Sequence, residues 1–145
     1  MILIDTNILV YATVPGFDEH DRAQAVLEGI RRGEAKYCIT WMNVFEYLRV
    51  VTHPKLVRPL PLPLAQAIEN VQGLLAQPGI SRIDSGPRHL ENFEEICLQA
   101  APVTGNFVHD CRLAAIMRDN GVDRILTRDS GFYRIPGIDV INPFL

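Results

Sequence analysis

At 145 residues, with 48% hydrophobic and 21% charged residues, the chain has the size and make-up of one globular domain, residues 1–145. Its net charge of −3 argues against a protein whose main task is coating nucleic acid, which needs a basic face. No apolar run approaches the ~20 residues of a membrane helix, and Met1 leads into the first strand without the cationic start of a signal peptide, so a cytoplasmic protein is expected.

The chain opens on Ile2-Leu3-Ile4, a short aliphatic run that reads as a fully buried strand. It stops at Asp5-Thr6-Asn7, residues that favour helix N-caps, and Ile8–Ala12 then reads as a buried helix closed by Pro15-Gly16. Asp18–Arg32 is amphipathic, with Ala23, Val26, Leu27 and Ile30 at helical spacing and acids crowding its start. Tyr37–Thr40 reads as a second strand. Trp41–Thr52 follows as a helix whose core stripe is read as Trp41, Val44, Phe45, Leu48 and Val51, with Glu46 beside it.

His53–Pro63 carries four prolines and reads as an extended surface loop. Leu64–Gln77 is a helix, Ile80–Ile83 a third strand, and Arg88–Ala101 a helix after the turn Asp84-Ser85-Gly86-Pro87. Asn106–Asn120 is a helix with Leu113, Ala114, Ile116 and Met117 inward, Arg124–Thr127 a fourth strand, and Ile138–Ile141 a last short one. This alternation predicts an α/β fold of three layers, a mainly parallel central sheet flanked by helices. Cys38, Cys97 and Cys111 lie far apart without a C-x-x-C, so buried thiols are expected and neither a zinc site nor a disulfide framework.

Most of the seventeen acids fall on polar faces or turns, Asp119 among them. Four do not. Asp5 ends the first strand, Asp129 follows the fourth by two residues, Asp110 opens a helix, and Glu46 flanks a core stripe early in the helix after the second strand. Each has an ordinary structural alternative: Asp5 and Asp129 can cap, Asp110 can favour a helix N-terminus, and Glu46 can pair with Arg49. Taken together, they can converge on the carboxyl-end rim of a parallel sheet, where ligands bind. Clustered carboxylates raise each other's pKa, and a hard divalent ion relieves the repulsion; Mg²⁺ or Mn²⁺ suits oxygen ligands.

Four motifs in this order, Ile4-Asp5-Thr6-Asn7, Asn43-Val44-Phe45-Glu46-Tyr47, Asn106-Phe107-Val108-His109-Asp110 with Leu113-Ala114-Ala115, and Leu126-Thr127-Arg128-Asp129, resemble those of PIN-domain ribonucleases, most closely VapC-type toxins of bacterial toxin–antitoxin pairs. The resemblance spans nearly the whole chain. It implies an endoribonuclease that cuts single-stranded RNA with Mg²⁺ or Mn²⁺, with Asp5, Glu46, Asp110 and Asp129 as catalytic acids and Asp5, Asp110 and Asp129 as metal ligands. Thr6 or Asn7 and Thr127 would give polar support. It further implies an antitoxin protein as partner and a homodimer.

Twelve of the fourteen cations are Arg, and Arg49, Arg112 and Arg128 stand close in sequence to the acids, either to hold RNA phosphates or to neutralise the pocket. His109 should point away from Asp110, and His20, His53 and His89 show no partner pattern. Trp41 and the Tyr and Phe residues, at helical spacing, read as core. Two rival readings remain: a DNA-directed nuclease using the same acids, and a non-catalytic, receiver-like module that binds a cation or a partner. The second needs a downstream lysine, and Lys36 and Lys55 are both badly placed for it.

Overall fold

A computed structural model describes all 145 residues. The elements are β1 (Ile2–Ile4), α1 (Thr6–Thr13), α2 (His20–Arg31), β2 (Tyr37–Ile39), α3 (Trp41–Val51), α4 (Leu64–Leu75), β3 (Ile80–Arg82), α5 (His89–Ala100), α6 (Phe107–Asp119), β4 (Arg124–Leu126), a 3-10 turn (Ser130–Arg134) and β5 (Asp139–Ile141). The five strands form one sheet in the order β3-β2-β1-β4-β5, every pair parallel. This is the three-layer α/β arrangement expected from the alternating pattern.

Alternation along the strands divides the core in two. Ile2 and Ile4 of β1 point into a cluster completed by Leu9, Val10, Ile30, Val44, Tyr47 and Val71 of α1–α4. Leu3, between them, points the opposite way, into Ile96 of α5 and Leu113, Ala114 and Met117 of α6. Period-two side chains on a strand covered on both faces give this split. Every β1 residue is buried, so the strand reads as a continuous apolar run.

Three local expectations fail. Trp41 and Phe45 are 41% and 65% exposed, because the buried face of α3 is carried by Asn43, Val44, Tyr47 and Val51. The two possible stripes share Val44 and Val51, and Trp and Phe are as apolar as the residues that won, so the letters alone did not fix the rotation of the helix. The proline-rich loop is not purely superficial: Val57 is buried in the first cluster, and the Leu62 amide donates to the Val51 carbonyl at 2.9 Å. Asp119 is no surface acid. Its side chain is 1% exposed and accepts from the Gly86 amide (3.0 Å), the Asn92 amide (2.6 Å) and His89 Nδ1 (2.6 Å), which also gives His89 the partner its sequence context did not reveal.

Cys38 and Cys111 are buried and Cys97 half-buried, all as free thiols. Burial pushes the thiols of Cys38 and Cys111 up to about 11, which leaves them protonated and unreactive. No helix is long and apolar enough to cross a membrane.

Candidate active site

The chain runs from β1 outward through β2 to β3, then returns to β4 on the other side of β1. That reversal leaves a crevice beyond the carboxyl ends of β1 and β4, the place where open α/β sheets bind ligands. The sequence puts Asp5 directly after β1 and Thr127-Arg128-Asp129 directly after β4. The sheet ladder runs on into this rim, with the Asp5 amide donating to the Leu126 carbonyl at 3.0 Å.

Asp5 is 9% exposed and accepts three hydrogen bonds. Its Oδ1 accepts from the Thr6 amide at 2.7 Å, so it does cap α1. Its Oδ2 accepts from the Thr127 hydroxyl at 2.6 Å and the Asn7 side-chain amide at 2.8 Å. Thr127 Oγ1 in turn accepts from the Asp129 amide at 2.9 Å and the Asn7 side-chain amide at 3.0 Å. One buried hydroxyl therefore ties the two strand ends together. Asp129 also caps, its Oδ1 accepting from the Gly131 amide at 2.8 Å.

Glu46 comes from α3. Thr40 and Asn43 close a capping box at the start of this helix, and Asn43 Nδ2 reaches on to Thr6 Oγ1 at 3.3 Å. The Thr6 hydroxyl lies 3.3 Å from Glu46 Oε2, to which it can donate. So Asn43, known in the sequence only as part of a motif, steadies Glu46 through Thr6. The Glu46–Arg49 pairing does not form. Asp110, in the first turn of α6, is half-buried and accepts no hydrogen bond from the protein. His109 beside it is exposed.

The four carboxylates act on one another. Asp5 is raised to about 6, first by burial, then by the charges of Glu46 and Asp129, against the pull of its Thr127 and Thr6 hydrogen bonds. Asp110 is also raised to about 6, by burial and then by Asp129, Asp5 and Glu46 in turn. Gly131 was not visible as a site residue in the sequence. A Cβ there would stand 3.1 Å from Asp110 Oδ2 and 3.2 Å from Asp129 Oδ1, so glycine leaves room between the two acids.

An all-oxygen, anionic donor set suits a hard divalent cation such as Mg²⁺ or Mn²⁺. As the side chains stand, no three His, Cys, Asp or Glu residues close tightly enough to grip an ion. The acids are neighbours in charge rather than a finished cage. Beside them, the guanidinium of Arg128 pairs with Glu19 and lies 3.3 Å from the Tyr11 hydroxyl, while its backbone amide donates to Asn7 Oδ1 at 3.3 Å.

A parallel sheet with acids gathered at its topological switch defines an α/β fold suited to binding a ligand at that rim. Residues 2–138 match the PIN domain family, and the chain belongs to it. It is 31% identical over 140 residues, 97% of its length and 95% of the relative's, to Ribonuclease VapC48 of Mycobacterium tuberculosis strain H37Rv. It is 38% identical over 91 residues, 63% of each chain, to Ribonuclease VapC33 of the same strain. Among solved structures, VapBC2 from Rickettsia felis, bound to a DNA fragment from its promoter, aligns over 98% of both chains with TM-score 0.67 at 21% identity. VapC20 of Mycobacterium tuberculosis, described as a sarcin–ricin loop cleaving toxin, aligns over 92% of this chain and 93% of that one with TM-score 0.66 at 16% identity. At these identities the two structures speak for the fold alone.

Proposed function

We propose that this chain is a metal-dependent endoribonuclease, the toxin of a toxin–antitoxin pair, that hydrolyses phosphodiester bonds of single-stranded RNA and is held in check by an antitoxin protein. The observation that carries the reading is that Asp5, Glu46, Asp110 and Asp129 lie near enough for their charges to act on one another. They come from four separate elements, and two of them are lifted to about 6 by burial and mutual charge. Perturbed carboxylates gathered in a crevice mark a site rather than a surface. The relatives named as VapC ribonucleases support RNA as substrate. Those solved as toxin–antitoxin complexes, such as that from Klebsiella pneumoniae, support an antitoxin partner.

Asp5, Asp110 and Asp129 would hold Mg²⁺ or Mn²⁺. When bound, such an ion lowers the pKa of water and offsets charge on a phosphoryl group. Thr127 and Asn7 fix the Asp5 carboxylate, so its orientation is set before substrate arrives. Glu46 stands exposed at the rim, steadied at one oxygen by Thr6, and would be the carboxylate that takes a proton from the attacking water. Water attacks phosphorus, the bond to the leaving oxygen breaks, and that oxygen takes up a proton.

The test is cleavage of single-stranded RNA by purified protein with Mg²⁺ or Mn²⁺ and with chelator. Activity should need the ion and fall by roughly a hundredfold or more in Asp5→Asn and Asp110→Asn, as for loss of a group acting in the transition state. Equal cutting by these variants would overturn the assignment.

A further inference from the structure

Trp41 and Phe45, expected in the core, stand at the surface one turn apart on α3, their ring centroids 6.0 Å apart and tilted by 45°. Arg82, at the end of β3, lays its guanidinium 4.8 Å from the Trp41 ring centroid. Beside the two rings is a cleft of about 260 Å³, completed by Thr40, Met42, Asp84, and Arg112 and Ile116 of α6. That volume is just short of a pocket for a whole small molecule and suits one planar group. Asp84, the one anion on its wall, is already paired with Arg82 at 3.0 Å.

The cleft neighbours the acid crevice along α3 and α6, and none of the four acids lines it. Phe45 directly precedes Glu46 on α3, and Arg112 follows Asp110 by two residues on α6. The core residues of α3 explain neither aromatic, and leaving Trp and Phe in water costs apolar surface that Ser or Lys would not. Aromatic faces interleaved with arginines are the chemistry that grips single-stranded nucleic acid: rings stack on bases, and guanidinium groups meet the phosphates between them.

Resting on the ribonuclease reading, we propose that the Trp41–Phe45 cleft is a base-stacking subsite for single-stranded RNA. A nucleobase flanking the scissile bond lies against the two rings, and Arg112 faces the backbone phosphate that joins it to the acid site. A second copy of the chain is the competing occupant. Two features favour RNA: the cleft is concave, and the one charge on its wall without an ion-pair partner is the cation Arg112, Asp84 being paired with Arg82.

Trp41 is the only tryptophan in the chain, so its emission reports on the cleft alone. The experiment titrates a short single-stranded RNA, and an abasic RNA of equal length, into Asp110→Asn with Mg²⁺ at equilibrium and into the wild type by rapid mixing. The expected result is a saturable quench by the RNA, lost with the abasic strand. Phe45→Ala and Arg112→Gln should each weaken the RNA Kd roughly tenfold at unchanged circular dichroism. If the wild type cuts RNA but Trp41 emission does not change, the subsite is wrong while the ribonuclease reading stands. A quench without metal-dependent cutting upholds the subsite and removes the ribonuclease reading instead. If Phe45→Ala keeps its RNA affinity but turns a dimer into a monomer in sedimentation, the cleft belongs to a second copy. The quench needs no cleft substitution, so a variant that fails to fold leaves the test intact.

Discussion

Asp110 and Asp5 share a raised pKa, yet they should answer substitution differently, because their partners differ. Asp5 satisfies three donors, and an amide in its place would turn one face of donors against Asn7 and Thr127. Asp110 accepts nothing, so Asp110→Asn removes a crowded charge and leaves no donor unpaired. A carboxyl moved from 3.8 to about 6 carries roughly 3 kcal/mol at most, and partial exposure brings Asp110 to about 1–2 kcal/mol. Asp110→Asn should therefore raise the free energy of unfolding by about 1–2 kcal/mol at pH 8 without metal, with no gain at pH 4, in urea titrations at the two pH values. Thr127→Val deprives the buried Asp5 carboxylate of its shortest hydrogen bond. It should cost about 1–3 kcal/mol at pH 8 and move the acid limb of the pH–rate profile upward. Gly131→Ala should fold normally. Its methyl would press on Asp110 and Asp129, and RNA cleavage should drop roughly tenfold or more, as small displacements at reacting groups do.

Between elements, Asp119, its side chain covered, joins the end of α6 to the start of α5 and the loop after β3. Burial pushes its carboxyl up, but the Gly86, Asn92 and His89 hydrogen bonds outweigh that and hold it below its ordinary value. A lowered carboxyl stabilises the fold above its unfolded pKa of about 3.8 and loses that contribution as pH falls through the folded value. Asp119→Ala strands three half-buried donors and should cost about 1–3 kcal/mol at pH 7, with much less difference near pH 3, in thermal melts followed by circular dichroism. It lies at the far end of α6 from Asp110, so kcat for RNA measured well below the melting temperature should change little. The α5–α6 hairpin also shows why a residue's surroundings elude its neighbours in sequence. His89 and Asp119 are thirty residues apart and meet only because two helices pack antiparallel.

For the whole molecule, the acidic crevice trades stability for a site. The raised pKa values of Asp5 and Asp110 stabilise the fold fully below about 3.8, and that contribution is lost as pH rises through about 6. In the absence of divalent ions, stability should therefore fall between pH 4 and pH 7, a window above the one in which Asp119 titrates. Mg²⁺ or Mn²⁺ binding only the folded chain should restore it, raising Tm of the wild type with ion concentration and leaving Asp5→Asn and Asp110→Asn almost unmoved. A wild-type melt indifferent to both ions would remove the cation from the mechanism.

The sequence by itself determined the order and nature of the elements. Ile2-Leu3-Ile4 had to be a covered strand, the α6 stripe of Leu113, Ala114, Ile116 and Met117 had to face inward, and strands alternating with helices left little but a parallel sheet with two covered faces. Periodicity is local, so it survives in a string of letters. The acids Asp5, Glu46, Asp110 and Asp129 were legible for the same reason: each interrupts or borders an apolar pattern. Tertiary structure alone decided what meets across the sheet. It joined Asp5 to Thr127 over 122 residues, gave Asn43 a part in orienting Glu46, made Gly131 the gap between two carboxylates, and turned α3 so that Trp41 and Phe45 face water. Those outcomes depend on which surfaces pack together, a long-range competition that no window of neighbouring residues records.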